Sequence, residues 1–82
     1  MIKIYTIQDR LSLIYSEPIF KINDAVMKRY FDKICANSPE ARPEDYDLFC
    51  IGEYDEKSCL LMPYEQKQYV MNGSELYATQ QG

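Results

Sequence analysis

The chain contains no histidine and no tryptophan. Without histidine, the usual zinc patterns fall away, and so does every mechanism that depends on an imidazole base. Cysteine is scarce: Cys35, Cys50 and Cys59 make an odd set with no C-x-x-C spacing. They read as reduced thiols in a cytosolic setting, with Cys50 in the core and Cys35 at a helix end that disfavours a thiolate. Long apolar runs are missing too. Lys3, Gln8, Asp9 and Arg10 break the N-terminal apolar residues, so neither a signal peptide nor a membrane span is expected. No internal repeat or low-complexity tract is present.

What is there suits one small domain. Eighty-two residues leave no room for a second core, and such a chain buries only about 60–65% of its unfolded surface. Self-association is expected on size grounds, as a homodimer whose edge strands pair. At 46% hydrophobic the composition is not that of a disordered chain. Eight tyrosines and three phenylalanines supply rings that can be buried while a hydroxyl stays wet.

The net charge of −4 conceals an asymmetry: residues 1–37 carry +2 and residues 38–82 carry −6. No overall positive field is available for non-specific binding of nucleic acid. The first half can still present a local basic face.

The densest apolar stretch, Leu48-Phe49-Cys50-Ile51, predicts a central strand over about Asp47–Tyr54 with both faces covered. Met1–Gln8 predicts a strand with one fully apolar face, and Leu11–Tyr15 a second extended segment pairing back on it. Pro18 makes the following path irregular or edge-like. A helix is predicted over Asp24–Ala36, capped by Asn23, with Ile22 and Met27 spaced for a hydrophobic staple. Its apolar stripe is Val26, Tyr30 and Ile34, widened by Met27, Phe31 and Cys35. Asn37 is placed to leave the helix in a left-handed conformation. Asp55–Ser58 forms a hairpin loop, pairing Tyr54 with Cys59 and Gly52 with Leu61, and Pro63 ends the return strand. Gly52 marks a bulge or another backbone passing close. Gln68–Met71 is a last short strand. The fold class is α+β: one amphipathic helix on a small, mostly antiparallel sheet of about 3–5 strands. Residues 1–74 form the domain and 75–82 a flexible tail.

No catalytic site is legible. Glu44, Asp45, Asp47, Glu53, Asp55 and Glu56 flank both ends of a strand about 20 Å long, too far apart for one ion, and no EF-hand spacing occurs. Glu44 and Asp45 read as caps for a turn started by Pro43. No cofactor is expected. Arg10, Lys21, Lys28, Arg29 and Lys33 are the candidate nucleic-acid contacts, with Tyr15 and Tyr30 near enough in sequence to stack bases. Against that, cations on a helix back are ordinary solvation.

Pro43-Glu44-Asp45-Tyr46, Leu48-Phe49 and Gly52-Glu53-Tyr54-Asp55 resemble the signature of the small non-structural protein of gokushovirus-type microviruses, phages with single-stranded DNA genomes. Asp9, Tyr15, Pro18, Phe20, Arg29 and Phe31 extend the resemblance over most of residues 1–62. The resemblance implies an early, non-capsid protein of the host bacterial cytoplasm. It implies a role in viral DNA replication or in the switch to single-stranded genome synthesis, through DNA or a host or phage replication protein. The competing expectation is an acidic interaction module that docks through Asp55 and Glu56.

Overall fold

Ile2–Asp9 (β1) is rich in β-branched and aromatic residues, a composition that fits a pleated surface. In the computed structural model, which describes residues 1–37 and 42–76, β1 is an inner strand. Ile4, Tyr5, Thr6 and Ile7 are consecutive and all buried, so burial at the middle of β1 is not confined to its fully apolar face. One edge of β1 pairs antiparallel with Ile14–Tyr15 (β2) and with Ile19–Lys21 (β3). Those two short strands are one return path, interrupted where Pro18 cannot donate to the ladder. The other edge pairs antiparallel with Tyr46–Asp55 (β4), and β4 pairs in turn with Leu60–Asn72 (β5).

The result is a curled, antiparallel five-stranded sheet with one long helix among the described residues. Strands hold half of the residues, so the architecture is mostly β, and the helix is a cover on that sheet rather than an equal layer. Bulges supply the curl, because an extra residue bends a strand and increases its twist. Ile51 is the extra residue between the Ile4–Gly52 and Tyr5–Cys50 pairs. On β5, four residues (64–67) stand opposite that same Ile51, between the Gly52–Pro63 and Cys50–Gln68 pairs.

The helix Asp24–Ala36 (α1) has the predicted bounds. Asn23 caps it, its Oδ1 accepting the Val26 N–H at 2.9 Å, a contact worth about 1 kcal/mol. The stripe is rotated from the expected one. Met27, Phe31 and Cys35 are buried, while Val26 and Tyr30 are exposed and Ile34 is half-buried. Ile22 stays 65% exposed, so the cap and not a staple fixes the helix entry. Asn37 has φ −95° and ψ 8°, which is not the left-handed exit expected.

Directly opposed residues in a ladder share a face, and successive ones alternate. Tyr5, Cys50 and Gln68 therefore face one way, Thr6, Phe49 and Tyr69 the other, and Ile7, Leu48 and Met71 the first again, the extra residue Val70 putting Tyr69 and Met71 on opposite faces. The first face carries the core: Tyr5, Ile7, Leu48, Cys50 and Met71 pack with Met27, Phe31 and Cys35 of α1. Fully burying a side chain such as Phe31 contributes about 1.5–3 kcal/mol. β4 is thus central, as expected, but α1 covers only its Leu48 and Cys50 side. Phe49 and Ile51 are half-buried on the opposite side.

The hairpin pairs Tyr54 with Leu61 and Gly52 with Pro63, two residues along from the expected register. The reason is Cys59, which takes φ 65° and joins the loop instead of the strand. Pro63 does not end β5. The strand continues to Asn72. Gly52 behaves as expected of a close approach: a Cβ there would stand 2.7 Å from the Met62 carbonyl oxygen.

Pro43–Asp45 forms a single 3-10 turn without a side-chain cap, so Glu44 and Asp45 do not play the capping part expected of them. Asn72 fastens that turn from across the sheet. Its Nδ2 donates to the carbonyls of Glu44 (3.0 Å) and Tyr46 (3.1 Å) and to Asp47 Oδ1 (2.8 Å). Glu75 accepts the Asn72 N–H and the Tyr69 hydroxyl, and Leu76 packs against the core. The rest of the expected tail, 77–82, lies outside the described residues.

Candidate nucleic-acid interface

The face of the sheet away from α1 is rich in rings. Tyr15 pairs with Gln8, Phe49 with Thr6, and Tyr69 with Phe49, so alternation puts all three rings on this open face. They form a row: Tyr15 and Phe49 centroids are 6.1 Å apart, Phe49 and Tyr69 6.0 Å, both edge-to-face. The Lys67 ammonium lies 5.4 Å from the Phe49 centroid and 5.7 Å from that of Tyr15. That is within cation–π range, and it keeps a charge beside the rings. At the other end of the face, Phe20 and Tyr54 meet at 5.9 Å.

Between these groups runs a groove of about 650 Å³. Thr6 and Ile51 line it together with Tyr15 and Ser16 from the β2 side and Glu65, Gln66 and Lys67 from the β5 bulge. Ser16 is held firmly: its carbonyl accepts from Thr6 Oγ1 at 2.9 Å and its Oγ from the Ile7 N–H at 3.0 Å. Burial, then the hydrogen bond to Glu75, holds the Tyr69 phenol above its ordinary pKa. It is therefore a neutral ring at physiological pH.

The expected basic residues are distributed differently. Arg10 sits on the turn after β1 and pairs with Asp47 at 3.6 Å. The Lys21 ammonium lies 4.3 Å from the Tyr30 centroid. Lys28, Arg29 and Lys33 are exposed on α1, which covers the opposite face of the sheet from the ring row. Tyr15 and Tyr30, grouped by sequence proximity, thus belong to different elements and only Tyr15 joins the row. Sequence reading missed Phe49, Lys67 and Tyr69. The readable signal was the alternation through β4, which sends Phe49 away from Leu48 and Cys50.

Of the acidic pair, Asp55 is occupied by its own hairpin. Its Oδ1 accepts the Lys57 N–H at 3.0 Å, and that bond holds its carboxyl below the usual range. Glu56 Oε1 is 3.1 Å from the Met1 amine. Among the described residues, no group of three or more Cys, Asp or Glu could hold a metal ion. Nor is any described helix long and apolar enough to cross a membrane.

The family model described as phage ORF5 protein matches residues 2–76, a span that takes in every strand and the helix. The chain belongs to this family. As a family member it is a small phage protein, and the Pro43 turn, β4 and Gly52 are all inside the matched span. No curated protein and no solved structure matches it.

Proposed function

We propose that this ORF5 family member is a non-enzymatic accessory protein of a gokushovirus-type, single-stranded DNA phage, working in the bacterial cytoplasm. It assists viral DNA replication or the switch to single-stranded genome synthesis by holding unpaired DNA on the open face of the sheet. The observation that carries the reading is the Tyr15–Phe49–Tyr69 row with Lys67 across two of its rings. Rings on an open sheet face, here two exposed tyrosines flanking the half-buried Phe49, stack on bases that a duplex keeps paired, and each stack is worth about 1–3 kcal/mol. With a net charge of −4, phosphate attraction is a minor contributor, and stacking supplies most of the affinity.

Fluorescence anisotropy with a labelled single strand tests this. Lys67, the cation beside the rings, gives a log–log salt slope of about −0.7, the value of one phosphate contact. Phe49→Ala should weaken binding about ten-fold or more. Contact through Lys21, Lys28, Arg29 and Lys33 would instead give a slope near −2.8 and an unchanged Phe49→Ala affinity. Absence of binding at about 50 mM salt sinks the reading altogether. The acidic-module alternative draws support from Leu60 and Leu61, 62% and 59% exposed beside Glu56. Co-purification of a replication protein that is lost in Glu56→Gln would favour it.

A further inference from the structure

We infer that the turn after β1 and the groove next to it form a self-complementary interface, and that a second copy of this chain fills the groove. Turn tips are ordinarily polar, yet this one reads Leu11-Ser12-Leu13-Ile14, with the three aliphatic residues 77%, 69% and 68% exposed. The turn is firmly built. Leu11 N–H donates to Asp9 Oδ1 at 2.9 Å, Leu13 N–H to the Asp9 carbonyl at 2.7 Å, and Arg10 N–H to the Asp45 carbonyl at 2.8 Å. Leu13 is held at φ 63°, a conformation that leucine rarely takes. The backbone thus presents a rigid apolar knob to solvent.

Directly beside it is a groove of about 710 Å³ whose apolar lining includes Ile14, Ile19, Tyr30, Ile34 and Tyr46. Asp9 and Glu17 line it as well, whereas the knob carries Arg10, which reaches its own Asp47 at 3.6 Å and still leaves its side chain 60% exposed. Knob and groove share Ile14, are both largely aliphatic, and carry opposite charge. A two-fold axis passing near Ile14 lets each copy's Leu11–Leu13 tip enter the other's groove while Arg10 approaches Glu17. That is the isologous arrangement of a closed dimer. A foreign peptide would fill the groove and leave the knob in water. A second copy covers both. Pro18, lying between β2 and β3, interrupts the outer edge, so the copies meet through side chains and not by adding strand to strand.

Sedimentation velocity on the full chain, from about 1 to about 200 µM, reads the outcome directly. The native chain should show a concentration-dependent dimer. Leu13→Gly suits the left-handed backbone, so the fold survives while the knob loses its side chain. The dimer dissociation constant should rise about ten-fold or more, the scale of a lost interface anchor. Glu17→Arg should weaken the dimer as well, with circular dichroism unchanged. A monomer throughout the range overturns the inference. So does a dimer indifferent to both substitutions, or a groove occupied only by a different protein.

Discussion

Leu48 and Phe49 are neighbours in sequence and sit in different worlds. Leu48 is fully buried against the helix-covered core, while Phe49 lies on the open face between two tyrosine rings and a lysine. The covered face is aliphatic, close-packed and closed by α1. The open face is aromatic, grooved and reachable from solvent. What separates them is one step of the strand period, so one face serves stability and leaves the other available for binding.

The sharpest test compares truncations one residue apart. Leu48→Ala should cost about 2–5 kcal/mol in urea unfolding, since it opens a cavity in the core. Phe49→Ala should cost about 1–2 kcal/mol, the scale of its edge-to-face pairs. Equal losses would mean that the open face is a second core, and the division drawn here would fail. Next in size is Gly73→Ala. A Cβ at that position would stand 2.1 Å from the Pro43 carbonyl oxygen, and backbone overpacking of this kind costs about 1–3 kcal/mol. Because Gly73 N–H also donates to the Tyr46 carbonyl at 3.0 Å, the change should shift Tyr69 on the strand before it and weaken the proposed single-strand binding together with stability.

A further test of the covered face is pH dependence. Burial, then the nearby Asp32 carboxylate, pushes the Cys35 thiol from about 9 up to about 11. A pKa raised in the folded state contributes stability that is complete below the unfolded value and is lost as pH climbs through the folded one. Urea midpoints should therefore fall between pH 9 and pH 11, beginning before the tyrosines respond. Tyr64 is pushed up to about 12, by burial first and then by Cys50 and Glu53. Cys35→Ala should flatten the early part of that decline. An unchanged decline would place the titrating group elsewhere.

The helix was legible to the residue because Asn23 and the apolar spacing are local signals. Which stripe it buries was not, because Val26–Tyr30–Ile34 and Met27–Phe31–Cys35 differ by one position and are nearly equal in hydrophobicity. The β4 strand was readable from Leu48–Ile51. The length of β5 was hidden by Pro63, which stops a strand only where its N–H is needed in the ladder. The ring row was hidden for another reason: Tyr15, Phe49, Lys67 and Tyr69 lie on three strands, and only pairing brings them together.

Composition and local pattern alone determined that this chain is one small domain with a capped helix over Asp24–Ala36, a central apolar strand and no imidazole chemistry. Those properties depend on residue identity and near-neighbour spacing. The tertiary structure decided which face of β4 is roofed, where the rings converge, and that the Leu11–Ile14 turn stands beside a groove. Each of these depends on strand register and on the bulges around Ile51 and at Val70. A shift of one residue there would exchange the two faces.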